Sequence, residues 1–440
     1  MPAPTSCAPI VHACLRPALL GVLALLGMAM ARPAMAQTPG ASRATVIEWN
    51  RHLNEAFSVP GAHPGTVFFT RPYAMVNVAI FEAINSIEYR YMPYHMRARV
   101  EPGASADAAA SQAAHDVLVA LMPSERARFD QALAISLANL APGPAAAGVA
   151  VGAEVARAIL ELRRDDGWNR TLPAYVLPDV PGYWQPTAPN NPAATMMHYP
   201  DVASFGLDGS QHFVPGPPPA LSSQQYADDF NEVKSLGRVD STTRTAEQTL
   251  IARLVAGANS TTGPNRLWNL ILADLAQRQQ FSGLDTARAF ALLNMGLHDG
   301  LRTSFNGKFL YALWRPVTAI REAARDGNPA TEADPTWLPL ITTPPYPAYP
   351  GNIACIGAVA SRIATYVFGS DAIPFSVTWP DATGAPVATR SYNGFRQLGD
   401  EVAKARIWSG IHFEFDHSAS KGVCGQVANY ITDNQLRPLF

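Results

Sequence analysis

The chain has 440 residues, 38 prolines, 31 glycines and a formal net charge of −2. A chain of this length can bury one large hydrophobic core or two smaller ones. The slightly acidic balance argues against a general affinity for nucleic acid or for an anionic membrane, so positive charge at a functional site has to be local.

The first 36 residues have the layout of a secretory signal peptide. Arg16 supplies a thin positive region, residues 18–31 are apolar, and an A-x-A cleavage pattern ends at Ala36. The apolar run is too short for a comfortable membrane span, although an uncleaved N-terminal anchor is the alternative. We therefore expect a secreted or periplasmic protein with no membrane span after the signal is removed.

Residues 37–170 are predicted to form an N-terminal helical region. Apolar residues within 71–89 follow the spacing of a buried helical stripe. Alanine-rich helices are predicted next, at 105–121, 124–140 and 144–163. No comparable run of alternating β-branched residues, which is typical of a strand, occurs in this half of the chain.

Residues 171–220, the proline-rich arm, differ from the helical region before them. The arm contains 11 prolines, a density that forbids regular helix. Its aromatic residues favour an ordered strap packed on the helices over a substrate-binding lid.

Residues 221–440 return to helical patterns, at 222–235, 245–256, 264–280 and 285–305. We expect this region to pack with 37–170 as one large all-α domain. The predicted fold is a multi-helix bundle, connected by the proline-rich arm, with its functional site in the C-terminal half.

Lys308 and Arg315 are seven residues apart, close to two helical turns, so both cations can project in the same direction. Pro316 disfavours α geometry at Arg315, which should therefore lie at the end of that helix. Their neighbours are apolar, and buried cations need a counter-charge such as an oxyanion. Two cations that extend their charged ends to solvent from an amphipathic helix are the alternative.

A proline- and aromatic-rich approach leads to Gly351 and Asn352, followed by a small-residue helix predicted at 353–368. Backbone N–H groups at a helix N-terminus reached through a glycine form an anion-binding nest. A simple Pro-Gly turn followed by an N-cap asparagine would use the same residues.

The stretch ARIWSGIHFEFD places Arg406, His412 and Asp416 within a dozen residues. If Gly410 ends one helix and His412 opens the next, His412 and Asp416 fall one turn apart on the same face. The carboxylate could then hold one ring nitrogen and leave the other free as a nucleophile or a ligand.

The order K-x6-R-P, then P-x-Y-P before a helix start, then R-x3-G-x-H-x3-D resembles the tripartite signature of the superfamily of vanadium-dependent haloperoxidases and type-2 phosphatidic acid phosphatases. Four further segments are similar to its exported bacterial haloperoxidase-like branch: 74–76, 219–226, 294–299 and 315–322. The resemblance covers most of the chain after the signal peptide.

The resemblance implies an all-helical bundle that holds vanadate or phosphate. Lys308, Arg315 and Arg406 would neutralise the equatorial oxygens, with Gly351 and Asn352 at the anion-binding turn. His412 would be the vanadium ligand in a peroxidase or the phosphorylated nucleophile in a phosphatase, and Asp416 would orient it. Lys308 would also polarise the peroxide.

The sequence departs from this signature where the family usually reads P-S-G-H, because this chain reads Pro350-Gly351-Asn352-Ile353. Isoleucine cannot transfer a proton, and loss of a general acid typically costs about 10²–10⁴-fold in rate. Asn352, His298, His417 or water are candidates to replace the missing group.

A vanadium-dependent peroxidase acting on hydrogen peroxide and a halide or organic substrate therefore ranks first, because a metal already activates its peroxide. An acid phosphatase that cleaves a phosphate ester through a phosphohistidine at His412 ranks second, and a non-catalytic oxyanion-binding protein third. A divalent-metal hydrolase using His412, Glu414, Asp416 and His417 is weaker, since Glu414 would point away from the others.

Cys355 and Cys424 are the cysteines that remain after signal cleavage. In an oxidising compartment a disulfide between them is possible, and two buried thiols are the alternative.

Overall fold

A computed structural model describes residues 40–440, apart from residue 60, residue 262 and the segments 64–68, 188–189, 209–212 and 381–384. The predicted signal peptide, residues 1–36, lies outside the described residues. The described residues form a single compact unit.

Among the described residues of the N-terminal region, five α-helices agree well with the apolar periodicity. They are α1 (Arg43–Phe57), α2 (Thr70–Glu88), α3 (Ala106–Leu121), α4 (Arg126–Leu137) and α5 (Pro142–Leu162). Helix α2 is buried on nearly every side and packs against α3 and against a later helix, Gly283–Tyr311, so it forms the centre of the hydrophobic core. The side chain of Ser105 caps α3 by accepting a hydrogen bond from the Ala108 N–H.

The C-terminal region adds eight helices among the described residues. They are α6 (Gln224–Leu236), α7 (Ala246–Thr261), α8 (Gly263–Arg278), α9 (Gly283–Tyr311), α10 (Pro316–Arg321), α11 (Asn352–Phe368), α12 (Phe395–Trp408) and α13 (Glu414–Asn434). The predicted all-α fold is confirmed, with one small addition. Strands β1 (Phe375–Pro380) and β2 (Pro386–Tyr392) pair as an antiparallel hairpin beside the bundle.

The proline-rich arm packs as a strap along α9. Asp299, fully buried on α9, accepts hydrogen bonds from the backbone N–H groups of Phe205, Gly206 and Leu207 at 2.7–2.9 Å. These three consecutive N–H groups have no helical carbonyl partners, so the buried carboxylate that accepts from them stabilises this part of the arm. The described part of the arm has one turn of 3-10 helix, Tyr199–Asp201.

Helix α11 packs against α9, α12 and α13. Its approach to α12 is close because Gly357 faces Gly399, where an added Cβ would lie 2.9 Å from backbone atoms. A disulfide joins Cys355 of α11 to Cys424 of α13. These contacts fix the N-terminus of α11 beside the start of α13, where the predicted site residues meet. Within the described residues, no helix is both long and apolar enough to cross a membrane.

Candidate functional site

Lys308 lies in the last turn of α9, and its side chain is fully buried. Its ammonium donates hydrogen bonds to the carbonyl oxygens of Pro347 at 3.1 Å, Ala348 at 2.7 Å and Pro350. All three N–H groups of the ammonium are therefore used by the turn that precedes α11. Burial, with the nearby positive charge of Arg315, lowers the pKa of Lys308 well below its ordinary value.

Arg315 reaches the same place by a route that the sequence did not predict. The prediction that Arg315 ends the helix of Lys308 is wrong, because α9 stops at Tyr311 and Ala312 takes a left-handed conformation. Arg315 instead is the extended N-cap residue of α10, as expected for a residue before proline. Its Nε donates to the Tyr346 carbonyl at 2.8 Å and its Nη1 to the Ile411 carbonyl at 2.9 Å.

Arg406 lies in the last turn of α12 and is 7% exposed. Its Nε and Nη1 have no hydrogen-bond partner among the described residues. Burial lowers the pKa of both Arg406 and Arg315 to about 10, so both guanidinium groups stay charged at neutral pH.

His412 and Asp416 pair as the sequence suggested, but not on one helix. Helix α13 begins at Glu414, so His412 precedes the N-cap residue Phe413, and Asp416 lies in the first turn. Asp416 Oδ2 accepts from His412 Nδ1 at 2.7 Å and from the Phe413 N–H at 3.1 Å, which places a carboxylate where a helix N-terminus favours it. Burial raises the pKa of Asp416 to about 7.

The turn before His412 depends on Gly410. Its φ is +81°, and a Cβ at this position would lie 2.4 Å from the Gly237 carbonyl oxygen. Glycine therefore allows both the left-handed turn and the close approach of the chain after α6.

The His412 ring has one nitrogen for each of two partners. Nδ1 donates to Asp416, and Nε2 accepts from Arg315 Nη1 at 3.2 Å. Burial first, and then the charges of Arg315, Lys308, His417 and Arg406, lower the pKa of His412 well below its ordinary value. The imidazole is therefore neutral at neutral pH, with its Nε2 lone pair directed toward the cations.

The Gly351–Asn352 turn is only partly available for an anion. The Gly351 N–H, predicted to contact the oxyanion, donates to the Asp416 carbonyl at 3.0 Å. Asn352 begins α11 and is 4% exposed. Its Oδ1 accepts from the Ser304 hydroxyl at 2.8 Å, whereas its Nδ2 has no hydrogen-bond partner among the described residues.

These residues form what we call the oxyanion cage: Lys308, Arg315, Asn352, Arg406 and His412. Among the described residues, four buried N–H-bearing atoms of the cage lack hydrogen-bond partners: Arg315 Nη2, Arg406 Nε, Arg406 Nη1 and Asn352 Nδ2. Buried donors without acceptors are costly and rare in folded proteins. The donor set fits a tetrahedral oxyanion such as phosphate or vanadate, whose oxygens are acceptors.

Of the proposed replacements for the missing acid, Asn352 belongs to the cage and His417 lies near it. The His417 ring centroid lies 5.8 Å from that of His412. His298 instead lies in the core, where its Nε2 contacts the Ala203 carbonyl at 3.3 Å and its ring packs on Phe205. Ile353 is buried and apolar, so no acid replaces the usual histidine at that position.

Two residues of the site were not identified from the sequence. Ser304 lies one turn before Lys308 on the same helix face, a spacing that could have signalled it. Tyr346 lies with its ring centroid 5.4 Å from Lys308 Nζ and 5.0 Å from Arg315 Cζ, in cation–π range. Its place on an irregular turn gives no periodic signal.

The divalent-metal alternative finds no support in the part of the chain that is described. No group of three or more His, Cys, Asp or Glu side chains there could hold a metal ion. Glu414 Oε2 lies 3.8 Å from His417 Nδ1 and 3.6 Å from Lys404 Nζ, rather than joining the pair of His412 and Asp416.

The fold is that of the vanadium-dependent haloperoxidases. A bacterial vanadium-dependent iodoperoxidase superposes with a TM-score of 0.76 at 23% identity, covering 89% of this chain and 97% of that one. The holo form of a bacterial vanadium-dependent chloroperoxidase gives a TM-score of 0.68 at 14% identity, covering 90% and 97%.

The sequence comparisons agree with the fold. Residues 288–438 match the family described as the VCPO second helical-bundle domain. The vanadium chloroperoxidase of Curvularia inaequalis is 26% identical over 350 residues, which cover 62% of this chain and 57% of that protein. The chain thus spans a little over half the length of that relative. The resemblance to the vanadium-dependent haloperoxidases is confirmed.

Proposed function

We propose that the protein is a vanadium-dependent haloperoxidase that binds vanadate in the oxyanion cage and oxidises a halide or organic substrate with hydrogen peroxide. The observation that carries the proposal is a set of four buried donor atoms near the neutral imidazole of His412, none of which has a hydrogen-bond partner in the described part of the chain. The vanadium-dependent activities in the names of its relatives support it.

Vanadate, when bound, would supply a Lewis-acidic centre that activates hydrogen peroxide. His412 would hold it through Nε2, the nitrogen left with a lone pair once Nδ1 donates to Asp416. Arg315 Nη1 now contacts His412 Nε2 and would instead donate to an oxygen of the anion. Arg315 Nη2, which has no partner in the described part of the chain, would donate to the anion as well. Arg406 would bind through Nε and Nη1.

Lys308 has a different position in this proposal from the two arginines. Its ammonium already donates to three carbonyl oxygens, so it must exchange one of them to bond an oxygen of the anion or of peroxide. Without that exchange the amine still lies close to the cage, where a bound anion would favour its charged form.

The same donors would bind phosphate, but hydrolysis of a phosphate ester needs a proton for the leaving group. Position 353 is isoleucine, and the amide of Asn352 can donate a hydrogen bond without transferring a proton. Burial lowers the pKa of His417, which makes its ring a poor proton source at neutral pH. The site therefore favours peroxidase chemistry over phosphohistidine chemistry at His412.

The experiment is a vanadate titration of the purified protein followed by assays with hydrogen peroxide and iodide, bromide or chloride. We expect vanadate-dependent halide oxidation that is lost in His412→Ala and kept in His95→Ala, a control at an exposed histidine. Failure of the parent protein to bind vanadate overturns the proposal. Vanadate-inhibited hydrolysis of p-nitrophenyl phosphate without peroxidase activity assigns a phosphatase instead. Binding without either activity assigns a non-catalytic oxyanion-binding protein.

We also propose that the chain is exported and cleaved after Ala36. The N-terminal layout supports this, and so does the pairing of Cys355 with Cys424, which suits an oxidising compartment. Mass spectrometry of the mature protein tests it, since a chain that begins before Gln37 contradicts the cleavage.

A further inference from the structure

We propose that Ser304 is a positioning residue that turns the Asn352 amide so that its NH2 group, not its carbonyl oxygen, faces the oxyanion. The inference rests on the proposed function and adds a residue to it. Ser304 does not contact the anion itself and acts through Asn352.

The geometry fixes the direction of the hydrogen bond between the two side chains. Ser304 is fully buried on α9, and its Oγ lies 2.8 Å from Asn352 Oδ1 and 3.5 Å from the Pro350 carbonyl oxygen. A hydroxyl has one proton to donate. The Pro350 oxygen is already an acceptor for Lys308 and lies at the limit of hydrogen-bond range from Ser304, so the proton goes to Asn352.

With the opposite orientation of the Asn352 amide, the cage would have one hydrogen-bond donor fewer. Asn352 Nδ2 would then donate to Ser304 Oγ, and the serine proton would be left with the 3.5 Å contact. The amide oxygen would face the anion, and two acceptors placed together repel each other. With the observed orientation, Nδ2 is a buried donor without a protein partner among the described residues, as a ligand-binding group should be before its ligand arrives.

The inferred arrangement also accounts for the unusual Gly351-Asn352-Ile353 sequence. The Gly351 N–H is occupied by the Asp416 carbonyl, and Ile353 has no polar atom in its side chain. The Asn352 amide can restore one hydrogen-bond donor at this end of the cage. It does so only if a neighbour fixes which end of the amide points inward, and Ser304 is that neighbour.

The test is a double-mutant cycle on the full-length mature protein, with the vanadate dissociation constant measured by calorimetry and the unfolding temperature measured in vanadate-free buffer. Loss of a hydrogen bond to a charged acceptor predicts that Asn352→Ala weakens vanadate binding roughly 10- to 100-fold. Ser304→Ala should weaken it roughly 5-fold. In the Asn352→Ala background, Ser304→Ala should have no further effect, because its partner is gone.

Two further variants separate positioning from simple packing. Asn352→Asp keeps the shape and the bond from Ser304 but presents an anionic oxygen to the anion, so it should bind vanadate more weakly than Asn352→Ala. Ser361→Ala removes another buried serine, whose hydroxyl bonds only the Gly357 carbonyl of its own helix among the described residues, and should leave binding unchanged.

The outcomes are distinct from those of the proposed function. If the parent protein does not bind vanadate, the proposed function fails and this inference fails with it. If the parent protein binds but Ser304→Ala binds equally well, only this inference is overturned. Additive effects of Ser304→Ala and Asn352→Ala, or Asn352→Asp binding as tightly as the parent protein, likewise refute the positioning role.

Discussion

Arg406 should stabilise the anion complex while destabilising the anion-free protein. Burial lowers its pKa from 12.5 to about 10, and one pKa unit corresponds to about 1.36 kcal/mol. Keeping this guanidinium charged in the fold therefore costs roughly 3 kcal/mol at neutral pH. Part of this cost comes from Nε and Nη1, which lack partners among the described residues, because buried donors without acceptors are unfavourable.

Arg406→Met replaces the charge with an unbranched apolar side chain that can fill much of the same space. In buffer free of phosphate and vanadate, we expect this variant to unfold at a higher urea concentration than the parent protein, with a gain of about 1–3 kcal/mol. We expect its vanadate affinity to fall about 100-fold or more, since two donors and a charge are lost.

The two measurements are equilibrium urea unfolding without anions and calorimetric titration with vanadate. Arg164→Met, at a side chain that is 64% exposed, should change neither by a measurable amount. An Arg406→Met protein that is less stable than the parent protein without anions, or that binds vanadate as tightly, would refute the reasoning.

Three other predictions concern the surroundings of the cage. Because Asp416 binds its proton up to about pH 7, and an unfolded aspartate only up to about pH 4, the contribution of Asp416 to anion-free stability should fall from about pH 4 to about pH 7. In urea unfolding, Asp416→Asn should lose up to roughly 4 kcal/mol less stability over this pH range than the parent protein does. An equal loss in both proteins contradicts the assignment. Replacing Cys355 and Cys424 by alanine removes a disulfide between positions 69 apart in the chain. The free energy of unfolding should fall by roughly 4 kcal/mol in the same assay. A fall below about 1 kcal/mol would show that the disulfide contributes little to stability. Tyr346→Phe keeps the ring beside the cage cations, so its free energy of unfolding should stay within about 0.5 kcal/mol of that of the parent protein. Tyr346→Ala should lose roughly 1–2 kcal/mol or more. Equal losses in the two variants would assign the effect to the hydroxyl.

The sequence predicts the helical fold well, because long alanine-rich and apolar-periodic stretches leave little choice of structure. It also predicts which charged residues come together, since the motifs around Lys308, Arg315, Arg406 and His412 contain them in a recognisable order. Strands β1 and β2 were missed because they form only a short two-stranded hairpin. Residues of β2 are mostly exposed, although Phe375, Val377 and Trp379 of β1 pack into the main core.

The details of hydrogen bonding could not be predicted from the sequence. Nothing local indicates that the Gly351 N–H is taken by the Asp416 carbonyl, since the two residues are far apart in the chain. Likewise, the seven-residue spacing of Lys308 and Arg315 suggests one helix, but the left-handed conformation of Ala312 ends that helix before Arg315. Tertiary contacts decide such points, and local patterns do not contain them.

Helix α9 holds three polar residues that serve different parts of the molecule. Asp299 bonds the arm, Ser304 bonds Asn352, and Lys308 bonds the turn before α11. Each residue inserted into a helix rotates all later side chains by about 100° around the axis. After a single insertion between Asp299 and Lys308, the helix could keep the bonds of Asp299 to the arm or those of Lys308 to the turn before α11, but not both. We therefore expect natural variation in chain length to accumulate in the loops and to be absent from the stretch of α9 between these two residues.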